Sequence, residues 1–285
     1  MTKKTYSIGI DIGGTKMMAV LFDGKDVLAE FILATPKDSL DHFMVMLQAL
    51  IGPIFEKCEE LKIKIDGIGI GLAGVIDRET GKMLYSPNIP IINNVNIGEL
   101  LKEKINLLIK IDNDGNCFTL AEALLGAGRK YDNVYGIIVG TGIGGGWYFD
   151  NKIYQTKNGG SGEPGQMIVD FHSGTILEKA FHDLTEKKSE ELAEKAYYGD
   201  VQAEGVFMNL GNLLGFSFAS IVNIISPEII VVGGGVTEAS DLFLGQAKKI
   251  MKKNIASRIA AKKIKLAKSK LGKQAGAIGA ALMIK

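Results

Sequence analysis

Two stretches of the chain repeat one pattern. "YSIGIDIGGTKMMAVLFDGK" (residues 6–25) and "YGIIVGTGIGGGWYFDNK" (135–152) each run from an aromatic residue through an apolar strand, a glycine-rich turn, a second apolar strand and a Phe-Asp-x-Lys hairpin. Two copies of one supersecondary unit predict two twisted sheets, each with a phosphate-sized glycine turn facing a shared cleft. In the first copy the strand ends on an acid, Asp11, followed by Gly13 and Gly14. An ionised Asp is costly to bury alone, and adjacent glycines weaken a strand unless the backbone must bend sharply or approach something closely. A small polar, anionic ligand is expected there.

The rest of the chain reads as strands interleaved with helices. A helix is predicted over about 38–60, after "KDSLDHF", and "IDGIGIGLAGVID" returns to a buried strand that ends in glycines. "IKIDND" (109–114) is a strand ending in acid, and "CFTLAEALLGAG" (117–128) a helix with a glycine stop. Polar or glycine-rich turns at strand ends, alternating with helices, indicate an α/β fold. The length of 285 residues suits two domains, and 46% hydrophobic with 23% charged residues is ordinary for a globular protein.

Charge and cysteine content exclude several classes. A formal charge of +1 gives no reason to expect nucleic acid or an anionic membrane as partner, and the basic residues are nearly all Lys, with Arg78, Arg129 and Arg258 the exceptions. The basic tract from Lys248 to Lys273 alternates with apolar residues and reads as a solvated face. Cys58 and Cys117 sit in apolar helical patterns and read as buried thiols, not a disulfide framework. The N-terminal apolar run breaks at Asp11, and no later stretch reaches eighteen uncharged apolar residues, so a cytoplasmic protein without a membrane span is expected.

The glycine motifs narrow the chemistry further. "GTGIGG" (140–145) fits the dinucleotide fingerprint, but that fingerprint needs a helix after it, and "GWYFDNKIY" is instead an alternating hairpin. NAD and FAD are therefore discounted, and no P-loop pattern occurs. Glycine turns can still grip phosphate through successive backbone N–H groups, and "VVGGGV" (231–236) supplies a third such strand end.

Six segments in order resemble the ROK group (repressors, open reading frames and sugar kinases) of the actin-like ATPase superfamily over nearly the whole chain. "DIGGTK" (11–16) is similar to its first phosphate motif, "GLAGVID" (71–77) to its sugar-side turn and "IDNDGN" (111–116) to its catalytic segment. "GTGIGGG" (140–146) is similar to the second phosphate motif, "SPEIIVVGGGV" (226–236) to the adenosine motif and "KQAGAIGAALM" (273–283) to the terminal helix. The resemblance implies a two-domain, ribonuclease H-like fold with a cleft between the domains. The small domain would hold 1–116 plus 273–285, and the large one 117–272. It implies an ATP-dependent kinase that phosphorylates a hexose hydroxyl, as a glucokinase does. Kinases of N-acetylmannosamine, N-acetylglucosamine or fructose remain open, as does a non-catalytic sugar-binding or regulatory protein. The family's repressors carry a long DNA-binding segment ahead of the first motif, and with Asp11 so early that reading is not expected. A homodimer is possible.

By the same resemblance Asp114 is the general base. Gly74, Asn88, Asn113, Glu163, Gln166 and Glu178 join it around the sugar. Gly13, Gly14, Thr15, Lys16, Thr141, Gly142 and Gly144 hold the phosphates, Gly234 and Gly235 the adenosine, and Asp11 a Mg²⁺ ion through water. Read without the family, Asp114 would be the N-cap of the following helix. Asp112 and Asp114, at alternate positions, share a face as long as the strand continues. One segment departs from the family. "GGSGEPGQMIVD" (159–170) has Gln166 where the family carries His, and no Cys follows Cys117. A thiolate zinc site is therefore excluded, and His172 alone cannot replace one. Gln166 can still exchange hydrogen bonds with a sugar hydroxyl.

Overall fold

The structure is a computed structural model that describes residues 5–77, 79–156, 162–186 and 188–284. Its first half contains β1 (Ser7–Ile12), β2 (Lys16–Phe22), β3 (Val27–Ala34), α1 (Leu40–Leu61), β4 (Gly67–Leu72), β5 (Val75–Ile76), β6 (Met83–Tyr85), α2 (Ile97–Lys102) and β7 (Leu108–Asn113). Next come α3 (Asp114–Leu124), β8 (Asn133–Val139), β9 (Ile143–Phe149), β10 (Lys152–Ile153), β11 (Ile168–Asp170), β12 (Thr175–Ile176), α4 (Leu177–Thr185), α5 (Ser189–Tyr197) and α6 (Val201–Ile225). The chain closes with β13 (Ile229–Gly233), α7 (Ser240–Lys253), α8 (Arg258–Lys263), β14 (Lys265–Lys268) and α9 (Ala275–Leu282).

The repeat seen in the sequence is a repeat of topology. One sheet has the order β3-β2-β1-β4-β7 and the other β10-β9-β8-β13-β14. In both, two antiparallel pairings lead into two parallel ones. The Phe-Asp-x-Lys turns close their hairpins by different means. Asp23 accepts the backbone N–H groups of Lys25 and Asp26, while Asp150 and Asn151 both take positive φ, which suits a tight two-residue hairpin turn.

Each sheet has its own core. Phe43, Leu47, Leu50 and Ile54 of α1 lie on Ile8, Ile10, Ile68 and Ile70 of the first sheet. Phe207, Leu210, Leu214 and Phe218 of α6, with Phe243 and Ala247 of α7, cover Ile137, Val139, Ile230 and Val232 of the second. From Gly205 to Ile225 α6 is uncharged, and it is long and apolar enough by length and composition to cross a membrane. The sequence reading passes over it because Asn209, Asn212 and Ser217 interrupt the apolar run. Its apolar stripe is the floor of the second core, which accounts for its hydropathy.

Between the sheets, α9 lies on β1 and β4, and α3 on β8 and β9, with the two helices crossing each other. The crossing is backbone against backbone. A Cβ on Gly279 would fall 1.7 Å from the Cys117 carbonyl oxygen, and one on Gly9 would fall 1.9 Å from that of Ala277, so no side chain fits at either place. Cys58 and Cys117 are both buried as thiols. The basic tract lies on α7, α8 and β14 with Lys248, Lys249, Lys253, Lys262, Lys263 and Lys265 exposed.

Candidate active site

The three glycine-rich turns lie at the C-terminal ends of the parallel strands β1, β8 and β13, the edge at which open α/β sheets place ligands. The first turn is closed by Gly13 N–H donating to Lys16 O at 3.1 Å, and braced by Thr35, whose hydroxyl donates to Gly13 O at 2.7 Å. Thr15 and Lys16 are exposed there and Gly14 is buried. Asn88 explains that glycine, since a Cβ on Gly14 would meet the Asn88 Cβ at 2.7 Å. The second turn is closed by Gly140 N–H to Gly142 O at 2.9 Å and leaves Thr141 exposed. A Cβ on Gly142 would lie 3.8 Å from Asn88 Nδ2, so Asn88 stands between the first and second glycine turns. At the third, Gly234 has φ +89° and sits against the Val139 carbonyl. The Thr237 hydroxyl and N–H both donate to Gly234 O. Beside it opens a cavity of about 450 Å³ lined by Ala193, Tyr197, Tyr198, Gly235, Val236 and Ala239, with Glu190, Glu194 and Glu238 at its edge.

β7 and α3 meet without a loop, and this junction holds the acids. The strand ends at Asn113, so Asp112 and Asp114 do not share a strand face. The helix begins three residues earlier than the sequence predicts, and its N-cap is Asn113, whose side chain accepts Asn116 N–H at 3.2 Å. Asp114 is therefore not the cap. Its carboxylate accepts Gly115 N–H at 2.9 Å, and among the described residues no other side chain hydrogen-bonds it. Asn113 also donates from Nδ2 to Gly74 O at 2.9 Å, which ties the turn after β4 to the β7–α3 junction. Gly74 has φ +137° and packs on the Tyr85 carbonyl, which bars any larger residue.

Acids from both halves converge on Asp114. Burial, and next the charge of Asp114, push the Asp11 carboxyl up to about 7, against the pull of Lys16. Burial first, then Asp114 and Glu178, push Glu163 up to about 7. Asp114 is itself raised by burial, opposed by the Gly115 N–H and reinforced by Asp112. A site that makes three carboxylates reluctant to ionise is short of positive charge and of hydroxyl donors. The oxygen-only donor set at Asp11 suits Mg²⁺ held through water beside phosphate oxygens. Among the described residues no three His, Cys, Asp or Glu side chains are grouped to hold a metal ion themselves.

The remaining site residues are spread unevenly. Gly144 comes within reach of Asp114, because a Cβ there would lie 4.0 Å from its Oδ1. Glu178, on the first turn of α4, accepts Ile143 N–H at 2.6 Å and is anchored to the second glycine turn rather than standing clear of it. Gln166 is exposed at the end of a short 3₁₀ turn, Pro164–Gln166. Beyond it β11 and β12 form a two-stranded ribbon. Asp170 closes its tip by accepting His172 N–H and the Ser173 hydroxyl. His172 lies exposed there with its ring on Phe171. Residues 159–161 of this segment lie outside the described residues.

Two groups escape the motif reading. Glu122 is fully buried in α3, and its carboxylate accepts the Ser269 hydroxyl and the N–H groups of Ala127, Lys270 and Leu271, tying α3 to the segment that leads into α9. Its signal is a lone acid inside "LAEALLG". The other is the set of partners around Asp112: Asn116 and Gln155.

Comparison with known proteins decides the family. The ROK family model matches residues 7–285. The chain belongs to the ROK family. It is 31% identical to an N-acetylgalactosamine kinase of Shewanella sp. (strain ANA-3), covering 96% of this chain and 95% of that one. It is 29% identical to an N-acetyl-D-glucosamine kinase of Mannheimia succiniciproducens, over 96% and 98%. Among solved structures, a ROK family glucokinase from Streptomyces griseus in complex with glucose and AMPPNP superposes with a TM-score of 0.84 at 25% identity, covering 98% of each chain. The architecture is accordingly the two-domain actin-like ATPase fold that the ROK motifs predict.

Proposed function

We propose that the protein is an ATP-dependent sugar kinase that moves the γ-phosphate of ATP to a hexose hydroxyl, with Asp114 as general base. The single observation that carries the role of Asp114 is the division of labour at the β7–α3 junction. Asn113 caps the helix, and Asp114 is left with backbone hydrogen bonds only and a raised affinity for protons. A carboxylate so placed can take the proton of an attacking hydroxyl. Phosphoryl transfer otherwise demands in-line positioning and charge neutralisation. Backbone N–H groups of the Gly13–Gly14 and Gly142–Gly144 turns, with Thr15, Lys16 and Thr141, orient the phosphates in this reading. Gly234, Gly235 and the cavity beside them take the adenosine. Mg²⁺, when bound, would neutralise phosphate charge, and Asp11 would hold its water shell. Gly74, Asn88, Asn113, Glu163, Gln166 and Glu178 would surround the sugar, with closure of the cleft excluding water.

We assign 1–116 with 273–285 to one domain and 117–272 to the other. The first boundary falls within the opening turn of α3, and the second within the 3₁₀ turn Gly272–Gln274. The working partners are small molecules, the expected setting the ATP-rich cytoplasm, and a homodimer fits the reading. An N-acetylhexosamine is the second candidate acceptor, favoured by the two kinases of that class at 31% and 29% identity. ADP release from a panel of hexoses and N-acetylhexosamines with ATP and Mg²⁺ tests both readings. Asp114→Asn should cut turnover by about 10²- to 10⁴-fold while sugar binding persists. Near-normal turnover in that variant would refute the assignment of the base.

A further inference from the structure

Asp112 stands two residues before the proposed base and is buried, yet nothing in the transfer step uses it. Each of its oxygens is engaged. Oδ1 accepts the backbone N–H of Asn113 at 2.6 Å and Asn116 Nδ2 at 2.9 Å. Oδ2 accepts Gln155 Nε2 at 2.5 Å. The first two bonds seat the cap from behind. Asn113 caps α3 by accepting Asn116 N–H, and Asp112 holds both of those residues, so three side chains fix the backbone at the point from which Asp114 projects. The third bond comes from elsewhere. Gln155 follows β10, at the edge of the second sheet, whereas Asp112 is the last residue but one of the outer strand of the first. Gln155 is exposed, and its amide reaches the buried carboxylate. The contact therefore links the catalytic turn of one half to the hairpin of the other, independently of the α3–α9 crossing.

We propose that Asp112 and Gln155 are a positioning pair for Asp114, coupling the placement of the base to the seating of the second sheet against the first. Neither touches substrate. An acid that bonds three donors from two directions has one orientation available, and a neutral amide in its place must turn its own NH₂ group toward one of them. The β7–α3 junction then loosens by a fraction of an ångström. Misplacement on that scale is costly to a proton transfer and nearly invisible to ground-state binding.

This inference rests on the kinase reading, and the experiment separates the two. Sugar-dependent ADP release by the wild-type protein establishes the reading by itself. In a protein that passes, Gln155→Ala should lower kcat by about 3- to 10-fold and Asp112→Asn by about tenfold or more, with KM for sugar and for ATP within about twofold of wild type. The double variant Asp112→Asn with Gln155→Ala should be no slower than Asp112→Asn alone, because the contact is already lost. Asp112→Asn with Gln155→Glu exchanges donor and acceptor across the pair and should recover several-fold over Asp112→Asn. Losses that multiply in the double variant, or the absence of that recovery, would overturn the proposal. Should Asp112→Asn fail to fold, Gln155→Ala still decides, since it alters only an exposed side chain. An unchanged kcat, or a loss expressed in KM alone, would sink the idea.

Discussion

The turn between β1 and β2 has a carboxylate and an ammonium at its ends, Asp11 and Lys16, whereas from Gly136 to Trp147 the equivalent hairpin of the second sheet has no acid and no base. Strand order and pairing are the same in the two sheets, so the difference is one of chemistry laid on a common scaffold. The first turn can manage a cation and the phosphate charge. The second offers backbone N–H groups, and the charge that bonds it is imported, as Glu178 reaches across from α4 to the Ile143 N–H. Glu163 gives the second half its counterpart to Asp11, since both are raised to about 7 by burial first and by Asp114 next. In the proposed reading the halves thus face Asp114 with one suppressed acid each, and what would satisfy them differs: a cation for Asp11, sugar hydroxyls for Glu163.

That division predicts separable failures. Asp11→Asn should give the largest loss, at least about 10² in kcat, by removing the anchor for the metal's water shell. Sugar affinity measured without nucleotide should be unchanged. Equal damage to sugar binding would show that Asp11 and Glu163 serve one function, and the comparison would collapse.

Glu163→Gln should cost less in rate and show an opposite effect on stability. Losing an ionised acceptor to a sugar hydroxyl is worth about 1.5–3 kcal/mol, or roughly 10- to 100-fold in kcat/KM for sugar, with KM for ATP little changed. The stability sign follows from the raised pKa. A carboxyl that titrates near 7 folded and near 4.5 unfolded leaves the folded state holding its proton more tightly, so its contribution falls as pH rises through that window. Above pH 7 the ionised group is a burden that Gln lacks. Discounted for solvent screening, about 1 kcal/mol is expected, a rise in Tm of about 2–4 °C at pH 8 and none near pH 4.5, read by thermal melts of the sugar-free protein. A Tm gain at both pH values would assign the effect to packing.

Which parts of this were legible in the sequence follows from chain proximity. The repeat, the three glycine turns and the absence of a helix after "GTGIGG" were all readable, because strand and turn chemistry is local. Asp114 was singled out through its motif, whereas the identity of the helix cap was not legible. Asn113 and Asp114 are both good caps, and only the backbone decides which one faces the helix N–H groups. Gln155 and Glu122 could not be assigned, since their partners are 43 and 147 residues away. An acid in an apolar helix signals a buried partner without saying where it is. No helix was predicted over α6, whose Asn and Ser residues break the apolar run, and its apolarity belongs to packing against α7 and the second sheet.

Gly142→Ala tests the second turn alone. Its Cβ would stand 2.8 Å from Glu178 Oε2, so the Glu178 side chain must give way and the bond to Ile143 N–H weakens. A lost hydrogen bond of about 1–2 kcal/mol corresponds to roughly 5- to 30-fold, with the lower end expected because a flexible side chain can move. The rise should fall on KM for ATP. A rise confined to sugar would move Glu178 wholly to the acceptor side.

The smallest effect is expected at Gln166, where the chain departs from its family. The side chain is exposed at the end of the 3₁₀ turn, and the ribbon beyond it is closed by Asp170 and Ser173 through hydrogen bonds. Gln166→Ala should therefore leave folding alone and remove at most one neutral hydrogen bond to sugar. That is worth about 0.5–1.5 kcal/mol, or a two- to tenfold rise in KM for sugar, with KM for ATP unchanged. Gln166→His restores the family residue without its thiolates, so elemental analysis should find no stoichiometric zinc, while the ranking of sugars by kcat/KM should shift. Measuring that ranking in all three proteins separates two placements of the segment. A ranking and sugar KM values indifferent to residue 166 would mean that it faces solvent in the closed state too, leaving Glu163 as the sugar contact of its loop.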